Sequence, residues 1–137
     1  MAHVFLIGLE RTTADQIGRV VSIERHKVCE GSFNCKLPDL AACSLVFAGG
    51  DPWMYLPLLQ RVRRELPTLP FVIVTKKPDA AAWLRAIDMG ATDFLVEPVW
   101  RRQIQWVMES VIPLQAKLSE VSFSPGYSMR RCIRAVS

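Results

Sequence analysis

Four short, uninterrupted apolar runs punctuate the chain: Val4-Phe5-Leu6-Ile7, Leu45-Val46-Phe47-Ala48, Phe71-Val72-Ile73-Val74 and Phe94-Leu95-Val96. A strand with one face in water alternates apolar and polar residues. Runs that are apolar on both faces instead suit parallel strands covered by helices on either side. A weaker run, His26-Lys27-Val28-Cys29, reads as a further strand at an edge of the sheet. Parallel neighbours need long crossover connections, and the stretches between these runs are long enough to supply helices. Strands alternating with helices predict an α/β fold with a parallel sheet and helices on both faces.

The helices are read from caps and spacing. Thr12 or Thr13 is the expected cap of a first helix with Ile17, Val20, Val21 and Ile23 inward. Gly31, Ser32, Asn34 and Pro38 interrupt residues 30–42, leaving a turn or two of helix around Asp39–Cys43. After Gly49-Gly50, Asp51 is the expected cap of a helix with Pro52 in its first turn. Its apolar stripe is Trp53, Leu56, Leu59, Val62 and Leu66, beside a basic face of Arg61, Arg63 and Arg64; Pro57 predicts a later start or a kink. Asp79 caps a helix over Ala80–Met89 with Trp83, Leu84 and Ile87 inward. Ile104, Val107, Met108, Val111 and Ile112 define the last helix, with Trp106 as a packing residue. Beyond Pro113 the periodicity lapses, and 119–137, with five serines and three arginines, reads as a frayed tail.

At 137 residues the chain is one domain's worth, enough to bury a core without staples. No apolar run reaches the roughly 18 residues of a membrane span, and no leader pattern opens the chain, so a cytoplasmic location is expected. Cys29, Cys35, Cys43 and Cys132 are irregularly spaced, and neither His3 nor His26 stands at a metal-ligand interval from them; free, mostly buried thiols are expected. The formal charge is +4, and half of it comes from 119–137, where Arg130, Arg131 and Arg134 stand against Glu120. The remainder is too dispersed for a nucleic-acid footprint.

The stretch Gly90-Ala91-Thr92-Asp93-Phe94-Leu95-Val96-Glu97-Pro98-Val99 reads as a helix end, a tight turn and a buried strand stopped by proline. It resembles the Gly-Ala-x-Asp-Phe/Tyr-Leu-x-Lys-Pro ending of the response-regulator receiver family of two-component signalling, with Glu97 where the family has lysine. Pro70-Phe71-Val72-Ile73-Val74-Thr75 resembles the family's Pro-x-Ile-x-x-Thr strand. The resemblance covers about residues 3–112. It implies a flavodoxin-like doubly wound five-stranded parallel sheet of order 2-1-3-4-5, with a receiver-like domain at 1–113 and a basic, serine-rich extension or linker at 114–137.

In that family an aspartate at the tip of the third strand attacks the phosphoryl donor. An acidic pair after the first strand holds Mg²⁺, and the Lys and Thr secure the new phosphoryl oxygens. Here the acidic-pair positions fall on Gly8 and Leu9 with Glu10 nearby, the acceptor position on Gly49 two before Asp51, and the lysine position on Glu97; Thr75 alone matches. The resemblance therefore implies a degenerate, phosphorylation-independent, non-enzymatic regulatory module with no catalytic residues, metal or cofactor. Two rivals stand beside it: a phospho-competent receiver using Asp51 with Glu10 and Mg²⁺, and a flavodoxin-like small-ligand domain with its ligand beside Gly49. A third makes the chain the regulatory half of a DNA-binding regulator. Glu97 is a candidate to pair with Lys76 or Lys77 across neighbouring strand ends, against the small worth of an exposed ion pair. Partners implied by the family are a histidine kinase, an output domain or another regulator, or a second copy, through the face of the fourth helix, fifth strand and fifth helix. Trp100, Arg101 and Arg102 are the expected contact patch.

Overall fold

A computed structural model describes residues 2–77 and 79–120, with 113–120 described by backbone alone. The elements are β1 (His3–Ile7), α1 (Arg11–Ile23), β2 (Lys27–Gly31), α2 (Leu37–Ala41), β3 (Leu45–Ala48), α3 (Pro52–Glu65), β4 (Phe71–Thr75), α4 (Ala80–Asp88), β5 (Asp93–Val96) and α5 (Arg101–Glu120). All strand pairs are parallel, in the order β2-β1-β3-β4-β5. The four apolar runs are the strands they predict, and β2 lies at an edge one residue later than expected.

Because successive side chains leave a strand on opposite sides, each run feeds two cores. Val4, Leu6, Leu45, Phe47, Val72, Val74 and Leu95 pack beneath α1 and α5. Phe5, Ile7, Val46, Ala48, Phe71 and Ile73 pack beneath α2, α3 and α4. All the strand tips that bear functional positions therefore emerge at one end of the sheet, between the two helical layers.

Several expectations change. α1 begins at Arg11 with Glu10 in the N-cap position, so Thr12 and Thr13 are not caps; Thr13 is buried in the first turn. α3 starts at Pro52 and runs through Pro57 without a break. Trp53 is 73% exposed, because the buried face of α3 is centred on Tyr55, Leu59 and Val62, and position 53 falls on the far side of the helix. In α4 the inward residues are small, Ala82 and Ala86, so Trp83 and Leu84 are left 38% and 60% exposed; Ile23 is exposed as well. Arg61 and Arg63 do not form a solvated face but fold back onto backbone carbonyls. None of Cys29, Cys35 and Cys43 is fully buried, although burial raises the Cys35 thiol and pushes that of Cys43 up to about 11. The backbone of α5 continues past Pro113 to Glu120; the rest of the proposed tail, with Cys132, lies outside the described residues.

Asp93, at the start of β5, is raised from 3.8 to about 6, chiefly by burial, which its hydrogen bond from the Phe94 N–H at 2.7 Å only partly offsets. The folded state thus holds this proton more tightly than the unfolded chain. Burial costs stability fully above about pH 6, and the cost disappears as pH falls below about 4. Asp93→Asn is expected to raise stability by about 1 kcal/mol at pH 7.5, after allowance for solvent screening, and by almost nothing at pH 4, measured by denaturant melts at both values.

Candidate functional site

The connections leaving β1, β3, β4 and β5 surround a cleft of about 360 Å³ whose walls include Leu9, Glu10, Asp51, Tyr55, Lys77 and Asp79. Gly8 turns the chain at φ 68°, a left-handed conformation that glycine adopts without strain. The ring of Phe33, from the β2–α2 connection, lies against it: a Cβ on Gly8 would sit 2.4 Å from Phe33 Cζ. At the tip of β3, Gly49 is buried, and its N–H donates to the Ile7 carbonyl at 2.8 Å. A Cβ there would sit 2.8 Å from Leu9 Cδ2, 2.9 Å from the Gly8 carbonyl oxygen and 3.2 Å from that of Val74. Leu9 thus fills the space over Gly49, and two backbone carbonyls close it from the flanking strand ends.

Thr75 is buried at the end of β4, and its hydroxyl engages the backbone N–H and carbonyl of Lys77, both at 3.3 Å. Lys76 pairs with Glu10. Glu97 does not meet either lysine. Its peptide bond to Pro98 is cis, and its side chain accepts a hydrogen bond from the Thr13 hydroxyl on α1. The candidate pair of Glu97 with Lys76 or Lys77 is therefore corrected: the first turn of α1, starting at Arg11, brings Thr13 to the β5–α5 connection and leaves Lys76 to Glu10. One residue after Pro98, the Val99 carbonyl accepts from the Gln16 side chain, so α1 holds this connection at two points. Asp51 occupies the N-cap position of α3, but its side chain makes no capping hydrogen bond; its carbonyl accepts from Met54 and Tyr55. Asp79 is a true cap, accepting from Ala81 and Ala82 at 3.0 and 3.2 Å.

The cleft wall carries the carboxylates Glu10, Asp51, Asp79 and Glu97 against Lys76 and Lys77. Such a lining raises the cost of holding a dianion. Tyr55, buried beneath it and edge-on to Phe94 with centroids 6.5 Å apart, has its phenol raised by burial and by Asp79 and Asp51. Among the described residues no three of His, Cys, Asp and Glu are grouped so as to hold a metal ion, and Glu10 is paired with Lys76.

No protein-family model matches the sequence, and no curated protein sequence matches it. Solved structures do. A response regulator receiver domain protein from Clostridium thermocellum superposes with a TM-score of 0.74 at 19% identity, covering 85% of this chain and 98% of its own. The fold is the receiver fold. A CheY-like protein (tadZ) from Pseudomonas aeruginosa gives 0.69 at 14% identity over 81% of this chain and 93% of that one. NtrX from Brucella abortus, in complex with ADP, gives 0.73 at 24% identity over 87% of this chain. The present chain spans 28% of that NtrX chain.

On the receiver fold, sequence reasoning places Gly8, Leu9, Glu10, Gly49, Asp51, Thr75 and Glu97 around one cleft, and the structure brings them together there. Trp100, Arg101 and Arg102 stand apart from it, exposed at the start of α5. Phe33, Thr13 and Gln16 are missed. Phe33 lies in a segment without periodicity, and Thr13 reads as a helix cap, so neither signals a role at the strand tips. If the Thr13 bond holds Glu97 in place, Thr13→Val is expected to lower stability by about 1–3 kcal/mol, because a half-buried carboxylate loses its donor. Thr13→Ser is expected to retain most of it, both read by thermal melts.

Proposed function

We propose that this chain is a receiver-like regulatory module of bacterial signal transduction that works by protein contact, is independent of phosphorylation and catalyses no reaction. The observation that carries this reading is Leu9 packed over Gly49 at the tip of β3, where the receiver resemblance would put the nucleophilic carboxylate. A side chain at position 49 has no room, and the neighbouring acidic-pair positions supply a glycine and a leucine. Glu97 adds a negative charge where the family has an ammonium, and its bond to Thr13 ties the β5–α5 connection to α1 without a phosphoryl group. The partner classes that fit are a histidine kinase, an output domain or another regulator, meeting the face of α4, β5 and α5.

One observation favours the phospho-competent rival. Asp51 lines the cleft with an exposed carboxylate that no hydrogen bond or ion pair engages among the described residues. Incubation with acetyl phosphate and Mg²⁺, followed by intact mass measurement, separates the two. Our reading expects no adduct; a phosphate adduct lost in Asp51→Asn would establish the rival.

A further inference from the structure

The start of α5 displays an aromatic ring and two cations that no ion pair or ring contact engages among the described residues. Trp100 is 66% exposed, yet its backbone is fixed: its N–H donates to Gln103 Oε1 at 2.8 Å, and its carbonyl accepts from the N–H groups of Gln103 and Ile104 at 2.9 and 3.2 Å. The preceding Val99 is buried and its carbonyl is held by Gln16. A ring shown on a fixed backbone loses little freedom on binding. Arg101 and Arg102 are exposed and take part in no ion pair among the described residues. They stand in the first turn of a long helix, where the backbone dipole already favours negative charge, so isolated they cost stability.

Further exposed apolar residues stand on the neighbouring elements of the fold. Val96 is exposed at the end of β5, the edge strand. On α4, Arg85 and Met89 line the groove towards α3. Trp83 lies roughly 160° round the helix from Arg85, with Ile87 one turn on, and so occupies the opposite flank, towards the open edge of β5.

We propose that this face binds an acidic protein segment, setting an apolar side chain against Trp100 and carboxylates against Arg101 and Arg102. The inference rests on the reading of the chain as a contact module and names the partner's chemistry. A second copy fits less well. Two-fold pairing brings the same patch against itself, arginines included, and the described carboxylates closest to it in the fold are engaged, Asp79 as the cap of α4 and Glu109 by a partner of its own. Asp88 lies about 140° round α4 from Trp83, and Glu97 is taken by Thr13. A nucleic acid would need a wider basic footprint than two arginines among apolar side chains.

The test pans a random peptide library on the full chain, on Trp100→Ala and on Arg101→Glu/Arg102→Glu, each checked first for a melting temperature no lower than the native chain's. Peptides selected on the native chain are expected to combine Asp or Glu with Leu, Ile or Phe. They should lose about tenfold or more in affinity on Trp100→Ala, weaken with salt, and be rejected by the charge-reversed variant. Peptides without acidic bias, no recovered peptide, or binding that survives Trp100→Ala would overturn the proposal. So would a concentration-dependent dimer, or binding to duplex DNA or phosphatidylserine vesicles, that Trp100→Ala abolishes. The two readings fail separately. Peptide affinity that changes on adding acetyl phosphate with Mg²⁺ contradicts phosphorylation independence but leaves the acidic partner standing. Failure to select acidic peptides on a chain inert to acetyl phosphate removes only the partner.

Discussion

Gly49→Asp, which puts a carboxylate where the receiver resemblance expects the acceptor, is expected to destabilise the domain rather than create a phosphoryl acceptor. The new Cβ would lie 2.8 Å from Leu9 Cδ2 and 2.9 Å from the Gly8 carbonyl oxygen. Leu9 can swing aside; the carbonyls of Gly8 and Val74 cannot without disturbing the β1–β3 and β3–β4 ladders beside them. Overpacking of this kind costs about 1–3 kcal/mol. The carboxylate adds the cost of a negative charge set against two carbonyl oxygens. A total of about 3 kcal/mol or more corresponds to a fall of roughly 10 °C in Tm for a domain of this size. Gly49→Ala separates the terms, carrying the steric part alone. Combining Gly49→Ala with Leu9→Ala is expected to recover part of the loss, because the two side chains compete for the same space. A Gly49→Asp variant as stable as the native chain would mean that the tip of β3 is open after all.

Arg63→Ala is expected to have an effect of similar size, far from the cleft. The Arg63 guanidinium is partly buried, which lowers its pKa, and it donates to the carbonyls of Gly90 at 2.8 Å, Leu69 at 2.6 Å and Leu66 at 3.4 Å. It thereby joins the end of α3, the α3–β4 connection and the α4–β5 turn. Gly90 meets it with φ 101°, and a Cβ there would lie 3.0 Å from Arg63 Nε, so the turn both needs glycine's conformation and leaves the arginine a passage. Hydrogen bonds from a charged donor contribute about 1.5–3 kcal/mol each, and truncation leaves carbonyls without partners. A loss of roughly 3–4 kcal/mol is expected for Arg63→Ala. Arg63→Lys should recover less than half of it, since an ammonium cannot reach all three carbonyls in the guanidinium's fork geometry. Chemical denaturation reads both. An Arg63→Ala chain within about 1 kcal/mol of native would show that water replaces these bonds.

The sheet was legible because it depends on what a single run of residues must do. Phe71-Val72-Ile73-Val74 has no polar face and so belongs between two helical layers, which is where it lies. Helix orientation was less legible, because size misleads. In α4 the residues that approach the sheet are Ala82 and Ala86, and the large Trp83 and Leu84 beside them turn outward. The cleft was legible as a set of positions but not as a set of partners. Glu97 is one residue past β5, and nothing local states that it meets Thr13, which is 84 residues earlier in the chain. The same holds for Leu9 over Gly49. Leu9 and Gly49, where the resemblance expects an acid and the acceptor, are 40 residues apart in sequence and one packing contact in space.

That contact is most directly tested by titrating the ¹⁵N-labelled chain with beryllofluoride and Mg²⁺ and following the amide signals of Gly8, Gly49, Asp51 and Thr75. The expectation is that none of them shifts beyond the effect of Mg²⁺ alone. A saturable shift at Thr75 that requires both reagents and is abolished by Asp51→Asn would contradict it.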